Sequence, residues 1–371
     1  MSDAHGIRRG RLRDRVAAAG SEAVLVSRPA NVRYLAGSAP SGAVLLIGPG
    51  GPESDALLCP RTPEGAPGEG RCDEALRVHV LPAPGADAAV AAAGMAQAQG
   101  ARSLAVEEHH LTVARHRALG SVAPRLRLTG LGSAVEQQRI VKDQEEISCL
   151  RTAAEIADQA LGELLESILV GRTERHLALE LERRLVDHGA DAPAFATSVG
   201  TGPDSGRAGH RPTDRRVEEG DFLSVCLGAD YRGYRCEIGR TFVIGSSPAD
   251  WQIELYDLVF AAQRAGREAL APGVEYREVD RTARQPLEAA GYGEGLPAST
   301  GHGVGLEIVE DPQFAPSAMG KLDACVPVTV EPGVHLPGRG GVRIDDTLVV
   351  RPEADGGPEL LTITTKELLA L

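Results

Sequence analysis

Hydrophobic and polar positions follow two different patterns along this 371-residue chain. Between residues 10 and 130, short apolar runs such as AVLVS, GAVLLIG and SLAVEE alternate with Ala-rich stretches such as ADAAVAAAGMAQAQG. The short runs predict β-strands and the Ala-rich stretches predict helices. This part of the chain is therefore predicted to be a small α/β domain, with a long Pro/Gly-rich surface loop over residues 49–74.

From Asp143 onward the pattern is that of long amphipathic helices. Apolar residues recur at spacings of three and four, which predicts one face of a first helix: Ile147, Leu150, Ala154, Ala157, Leu161, Leu164 and Ile168. Thr173 is placed to cap a second helix that ends at Gly189. Residues 249–270 and 276–293 predict two more helices. Strand-like runs and Gly-rich turns make up the rest, and this order predicts an α+β domain. The predicted domains are residues 1–133 and 134–371.

The stretch GDFLSVCLGADYRGYRCEIGRTF predicts two strands joined by a hairpin-like turn. Cys226 lies in the first strand and Glu237 at the start of the second. Two other carboxylates, Glu331 and Asp345, also lie in or beside apolar strand-like runs, and His302 stands among glycines in TGHGVGLE. A charge in such a place is costly unless it is paired or bound to a metal.

If these carboxylates converge, a cation between them would relieve their repulsion. One histidine with several carboxylates is the ligand chemistry of Mn²⁺, Co²⁺ or Zn²⁺. For Glu331 and Asp345, salt bridges to an arginine such as Arg343 are an equally good explanation, and the spacing leaves both interpretations open. Asp346 is interpreted as a turn or rim residue and left out of the candidate site.

Composition excludes some classes of function. The net charge of −13 argues against nucleic acid as a partner, because phosphates reward a basic face. No apolar run reaches the length of a membrane span, and the N-terminal residues lack the apolar stretch of a signal peptide, so a cytoplasmic location is expected. The six cysteines show no CxxC pair, and each is interpreted first as a small buried hydrophobe.

Several motifs in order make the chain resemble the pita-bread hydrolases, the group of aminopeptidase P, prolidase, methionine aminopeptidase and creatinase. RPANVRYLAGSAP resembles their N-terminal domain, and GHRPTDRRVEEGDFLSV, YRGYRCEIGRTF, TGHGVGLEI and VEPGVHLPGRGGVRIDDTLVV resemble their catalytic domain. The resemblance implies an α/β domain followed by an α+β pita-bread catalytic domain, usually in a homodimer. It also implies a two-metal site made of two aspartates, one histidine and two glutamates.

Carried over by position, those five ligands fall on Cys226, Glu237, His302, Glu331 and Asp345. Only the histidine and the first glutamate are kept. The resemblance therefore implies a degraded site with one metal or none, in which His302, Glu331, Glu237 and Asp345 are the ligands of the surviving metal. Cys226 is either a thiolate ligand or, as the favoured interpretation, a buried thiol that only fills space in the core.

Two substrate-facing histidines of the family also change. One position is Val309. The other is Gly209, and the adjacent His210 either takes that role after a shift of one residue, as the favoured interpretation, or is a surface histidine. The implied reaction is hydrolysis of a small peptide with proline second, with Glu331 as general base and Arg343 orienting the bridging carboxylate. One alternative resembles creatinase: a metal-free enzyme whose base is His210 and whose Glu237 and Glu331 bind a small amidino or cyclic amidine compound. Another is a pita-bread module that only binds peptide or protein partners.

Overall fold

The computed structural model describes residues 4–61, 73, 76–167, 169–245, 247–293 and 296–371. The chain separates into two compact units, Met1–Arg139 and Ile140–Leu371. Residues 62–72 and 74 of the predicted surface loop, residue 75 and the helix position Ile168 lie outside the described residues.

The N-terminal unit is a mixed sheet with helices against it, in the strand order β4-β3-β2-β1-β5-β6. Its elements are α1 (Ala4–Ala18), β1 (Ala23–Val26), α2 (Pro29–Ala36), β2 (Val44–Ile47), β3 (Ala56–Cys59), β4 (Arg77–Val80), α3 (Ala88–Ala98), β5 (Ser103–Val106), α4 (Val113–Val122), β6 (Arg127–Gly130) and α5 (Ala134–Arg139). Strands β1, β2, β3 and β5 are buried along their whole length, as strands covered on both faces should be. This confirms the predicted α/β class.

Two details of this unit differ from the sequence-based prediction. The segment predicted as a surface loop contains β3, which pairs with β2 and β4 and is buried in the core of the unit. Helix α5 packs on α1 and α2, so the compact units divide after Arg139, a few residues beyond the predicted boundary.

The C-terminal unit is an α+β structure, as predicted. Its elements are α6 (Gln144–Leu165), α7 (Glu174–Asp187), β7 (Ala192–Pro193), β8 (Ser198–Thr201), β9 (Phe222–Leu227), β10 (Ala229–Tyr231), β11 (Tyr234–Arg235), β12 (Ile238–Val243), α8 (Asp250–Glu268), α9 (Tyr276–Ala289), β13 (Gly301–Gly303), β14 (Glu310–Phe314), β15 (Pro327–Val330), β16 (Gly333–Leu336), β17 (Gly340–Arg343), β18 (Asp346–Val349) and β19 (Glu359–Leu360).

Capping side chains fix where the first two helices of this unit begin. Asp143 and Glu146 form a reciprocal capping box at the start of α6. The Thr173 hydroxyl accepts a hydrogen bond from the backbone N–H of His176 at the start of α7, as the sequence predicts. The apolar face of α6 then packs into a core with α7 and strands β8, β9 and β12.

Two sheets of the C-terminal unit carry the candidate site. One has the order β12-β9-β8 and the other β14-β13-β15-β18-β19. They meet at an antiparallel bridge between Gly239 and Asp345, whose N–H and C=O groups exchange hydrogen bonds of 3.1 and 3.0 Å. Elements that are far apart in the chain therefore come together at this junction. Within the described residues, no helix is long and apolar enough to cross a membrane.

Candidate metal centre and active site

The junction of the two sheets gathers the carboxylates that the sequence singled out. Glu237 lies just before β12, and Asp345 stands between β17 and β18. Both are buried, with exposures of 5% and 0%. Gly239 makes the close approach possible, since a Cβ there would lie 2.0 Å from Oδ2 of Asp345. Glu331 follows β15, and its N–H donates to the carbonyl of Thr300.

His302 presents one ring nitrogen to this group. Its Nδ1 lies 3.0 Å from the carbonyl oxygen of Gly303, to which it donates. A neutral ring held in this way directs the lone pair of Nε2 outward. Nε2 lies 3.5 Å from Oε1 of Glu331 and 3.7 Å from Oε2 of Glu237. These distances are too long for hydrogen bonds.

Arg343 connects the three carboxylates. Its Nη2 donates to Oε1 of Glu237 at 2.8 Å and to Oε2 of Glu331. Its Nε lies 2.6 Å from Oδ2 of Asp345 without hydrogen-bond alignment. The salt bridges to Arg343 that the sequence raised as an alternative are therefore formed. They leave one oxygen of Glu237 and one of Glu331 free, and these are the two oxygens that face His302.

The net charge of the site matches that of one divalent cation with opposite sign. Three carboxylates and one guanidinium sum to −2 when all are ionised, which matches one divalent ion. The ligand-to-ligand distances of 3.5 and 3.7 Å are close to the roughly 3.4 Å that separates two ligands of a tetrahedral ion with bonds of about 2.1 Å. The donor set of one imidazole and two carboxylates therefore fits one divalent cation.

Burial raises the pKa values of two carboxyl groups in the site, those of Asp345 and Glu331. It raises the pKa of Asp345 from 3.8 to about 6, against the opposing effect of Arg343. The pKa of Glu331 is also raised, first by burial and then by the negative charge of Glu237. Both carboxylate oxygens of Asp345 are buried without a hydrogen bond. Oδ2 still forms an ion pair with Arg343, so Oδ1 is the oxygen without a partner of either kind, which is consistent with a site that takes up a further positive charge.

Burial disfavours the charge of Arg343, but its acidic neighbours, Asp345 first, outweigh this and hold its pKa well above the usual value. The guanidinium is therefore a fixed positive charge within the site.

Cys226 acts as a hydrogen-bond donor in this site. It faces Gly239 on β12, and its sulfur donates to Oε1 of Glu237 at 3.2 Å. Burial, followed by the charge of Glu237, raises the pKa of the thiol well above its usual range. A cysteine binds a metal as the thiolate, so a raised thiol pKa disfavours Cys226 as a ligand. Besides a metal ligand or a thiol that only fills space, the geometry offers a third role for Cys226: a hydrogen-bond donor that orients Glu237.

The candidate ligands form two overlapping groups. Within each, one ligand atom per residue lies within 4.8 Å of the others: Glu237, His302 and Glu331 in one, and Cys226, Glu237 and Asp345 in the other. Glu237 belongs to both. Asp345 thus groups with Cys226, whereas the resemblance implied that it joins His302 and Glu331.

The other sequence-predicted residue, His210, lies in a separate cluster. Its Nε2 is 2.8 Å from Oε2 of the fully buried Glu174 and 4.0 Å from Oδ2 of Asp204. Its carbonyl oxygen lies 3.5 Å from Oγ of Ser198, which pairs with Cys226 across β8 and β9. The backbone of His210 therefore lies near the edge of the site, while its imidazole binds Glu174.

Sequence reasoning missed a buried network directly behind the site. Asp346 is fully buried, not a turn or rim residue, and it accepts hydrogen bonds from Arg240, Gln263 and Thr362 and pairs with Lys366. Arg240 also donates to the carbonyls of Gly239 and Asp345. An arginine inside the apolar strand β12 was the available signal, because such a charge needs a buried partner.

Comparison with known proteins decides the family. Residues 148–352 match the model of metallopeptidase family M24, and residues 8–141 match the Creatinase/Prolidase N-terminal domain. The chain belongs to metallopeptidase family M24. The resemblance to the pita-bread hydrolases is thereby confirmed, as is an N-terminal creatinase/prolidase-type domain followed by a catalytic domain.

Individual relatives of this M24 chain agree with the family match. It is 38% identical over 239 residues to an Xaa-Pro dipeptidase of Pyrococcus furiosus, covering 64% of this chain and 68% of the relative. It is 35% identical over 272 residues to a peptidase of Bacillus subtilis, YqhT, whose function is described as uncharacterized, covering 73% and 76%.

Solved structures are similar over nearly the whole M24 chain. The Xaa-Pro dipeptidase of Bacillus anthracis superposes with a TM-score of 0.89 at 30% identity, covering 99% of this chain and 100% of that one. The prolidase of Pyrococcus horikoshii superposes with a TM-score of 0.86 at 32% identity, covering 97% and 99%. The family name implies use of a metal, and the described residues supply the candidate ligands.

Proposed function

We propose that this M24 chain is an Xaa-Pro dipeptidase-type hydrolase that uses one divalent cation held by His302, Glu237 and Glu331. One observation carries the proposal. The carboxylate oxygens that Arg343 leaves free are those that face Nε2 of His302. The relatives named as Xaa-Pro dipeptidases support the substrate class, a small peptide with proline second.

The protein residues have separate roles in this proposal. A bound divalent cation would supply Lewis acidity for attack of water on the amide carbonyl. Glu331 accepts the proton of the attacking water, and its raised pKa brings it closer to neutral pH than an ordinary carboxylate. Arg343 holds Glu237 and Glu331 in fixed orientations through hydrogen bonds from Nη2. The Cys226 thiol adds a second donor to Glu237.

Turnover of an Xaa-Pro dipeptide panel with added Mn²⁺, Co²⁺ or Zn²⁺ tests this function. Wild-type protein should hydrolyse at least one dipeptide with one of these ions. His302→Gln should lose at least about a hundredfold in kcat/KM, because the only imidazole ligand is removed. His176→Gln is the matched control, since His176 is an exposed residue of α7, and it should keep wild-type activity. Absence of turnover with every ion contradicts the proposal.

A second candidate is supported by the arginine itself. Glu237 and Glu331 already bind one guanidinium, that of Arg343. The same pair of carboxylates could bind an amidino or cyclic amidine compound without a metal, with His210 as the base, in a creatinase-like C–N hydrolysis. Turnover of such a compound in the presence of a chelator favours this candidate. A protein with neither activity is best explained as a binding module.

The proposal also includes a homodimeric assembly and a cytoplasmic location. The resemblance to the pita-bread hydrolases supports a homodimer, and the composition of the chain supports a cytoplasmic protein that does not bind nucleic acid. Light scattering of the purified chain tests the dimer, since the mass should be twice 38.9 kDa.

A further inference from the structure

Glu174 is a buried carboxylate outside the proposed metal centre. It is the first residue of α7 and is fully buried. Oε1 accepts a hydrogen bond from the N–H of Thr201 at 2.8 Å. Oε2 accepts from the N–H and the hydroxyl of Thr213, at 2.9 and 2.8 Å. Glu174 therefore accepts three hydrogen bonds from the protein around it.

The same Oε2 lies 2.8 Å from Nε2 of His210. An oxygen that already accepts two hydrogen bonds has no proton to offer, so Nε2 of His210 is the donor. A neutral imidazole has one N–H, and its other nitrogen then carries the lone pair. The contact with Glu174 therefore selects the tautomer of His210 that is protonated on Nε2 and leaves Nδ1 as the acceptor.

The imidazole is held firmly in this orientation. Its side chain is only 7% exposed, and among the described residues its polar ring contacts all involve Nε2. The backbone of His210 is fixed as well, since its N–H donates to the carbonyl of Arg207 and its C=O contacts Ser198. Ser198 pairs with Cys226, which places this loop beside the strand that enters the active site.

We propose that Glu174 is a positioning residue that fixes His210 as the Nε2–H tautomer and presents Nδ1 as a proton or hydrogen-bond acceptor for substrate. The effect of Glu174 on turnover rests on the proposed function. The tautomer does not, because it follows from the hydrogen bonds of Glu174 alone.

Nitrogen-15 NMR of histidine-labelled full-length protein tests the tautomer directly. The signals of His210 are assigned by their loss in His210→Asn. Above the pH at which the ring loses its charge, the proton should be on Nε2. In Glu174→Gln a neutral carboxamide replaces the carboxylate: its oxygen accepts a hydrogen bond more weakly, and its NH2 group cannot accept one, so the Nε2–H preference should weaken. A wild-type His210 protonated on Nδ1 overturns the proposal.

Kinetics separate positioning from a purely structural role. Glu174→Gln should lower kcat by at least about tenfold with KM nearly unchanged, as removal of histidine-orienting carboxylates does. Glu174→Asp, which keeps the carboxylate, should retain more of kcat. Thr213→Val is the matched control, because it removes another hydrogen bond to the same oxygen and spares His210. Equal loss of kcat in Thr213→Val and Glu174→Gln contradicts a positioning role.

Two further outcomes are distinguished by these measurements. If wild-type protein turns over no substrate, the proposed function fails while the NMR result still decides the tautomer. Glu174, Asp204 and His210 also have ligand atoms within 4.8 Å of one another, so a metal bound there is the competing explanation. Broadening or shift of the His210 signals on adding Zn²⁺, abolished by Asp204→Asn, would replace the proposed hydrogen bond with a metal site.

Discussion

The thiol of Cys226 donates a hydrogen bond to Oε1 of Glu237, with 3.2 Å between sulfur and oxygen. The same oxygen accepts from Arg343, so Glu237 has only Oε2 left to offer a cation. A second ion between Cys226, Glu237 and Asp345 would have to displace both donors. This arrangement supports the proposed centre with one cation, whereas the family pattern implies two.

Restoring aspartates at the two altered positions should open the second cation site. Cys226→Asp with Glu237→Asp removes the thiol donor and adds an oxygen ligand beside Asp345. Hard divalent ions favour carboxylate oxygens. We expect the number of Mn²⁺ ions bound per chain to rise from one to two, measured by elemental analysis after dialysis.

Cys226→Ser is the control for this experiment, because it alters the sulfur without adding a carboxylate. The serine variant should still bind one ion. A double variant that also stays at one ion would mean that Arg343, and not the cysteine, closes the second site.

Removing the guanidinium should destabilise the metal-free protein. Arg343→Met leaves three carboxylates without their shared counter-ion. We expect the free energy of unfolding to fall by about 2 kcal/mol, less than for a fully buried pair because the Arg343 side chain is 32% exposed. Urea denaturation in the presence of a chelator measures it.

A saturating divalent cation should recover most of that loss, since it supplies the missing positive charge. Arg343→Lys keeps the positive charge but loses the planar guanidinium. Its free energy of unfolding should therefore lie between those of wild type and Arg343→Met. Wild-type stability of Arg343→Met without metal would show that Arg343 does not neutralise the cluster.

Asp345 should make the stability of the metal-free protein depend on pH. Because burial raises its pKa from 3.8 to about 6, the folded state holds a proton that the unfolded state has released between these values. Its stabilising contribution is therefore full below about pH 4 and is lost as the pH rises through about 6. Asp345→Asn cannot titrate, so its unfolding free energy relative to wild type should increase from pH 4 to pH 7. A constant difference would exclude the raised pKa.

Asp346, the residue after Asp345, should matter for stability and not for cation binding. Asp346 accepts hydrogen bonds from Arg240, Gln263 and Thr362 in a fully buried network. Asp346→Asn leaves the buried charge of Arg240 without its partner, which typically costs about 3 kcal/mol or more. We expect a large drop in the thermal midpoint with one cation still bound per chain. Loss of the cation in a variant that remains folded would assign Asp346 to the centre itself.

The sequence predicted the helices well where a capping residue or a buried face determines their position. Thr173 caps α7 as predicted, and the apolar spacing around Ile147 and Leu161 marks the buried face of α6. The buried strand β3 was missed because Pro and Gly surround it, and only its pairing with β2 and β4 reveals it.

For the candidate site, sequence and resemblance singled out Glu237, His302, Glu331, Asp345 and Arg343, but they did not predict which of these side chains contact one another. Pairing, exposure and the choice of carboxylate oxygen depend on side-chain directions at the junction of two sheets. Asp345 and Asp346 are adjacent in sequence, yet one faces Arg343 and the other Arg240. Alternation along a strand separates two such neighbours. The sequence analysis placed Asp345 at the candidate site and left Asp346 out, but it did not predict that Asp346 is fully buried.

Metal content of the purified chain tests the central claim most directly, combined with anomalous diffraction from the bound ion. One divalent ion per chain, in contact with Nε2 of His302, Oε2 of Glu237 and Oε1 of Glu331, is the expected result. A chain that binds no ion when Mn²⁺, Co²⁺ or Zn²⁺ is in excess, with Arg343 alone between the carboxylates, would contradict it.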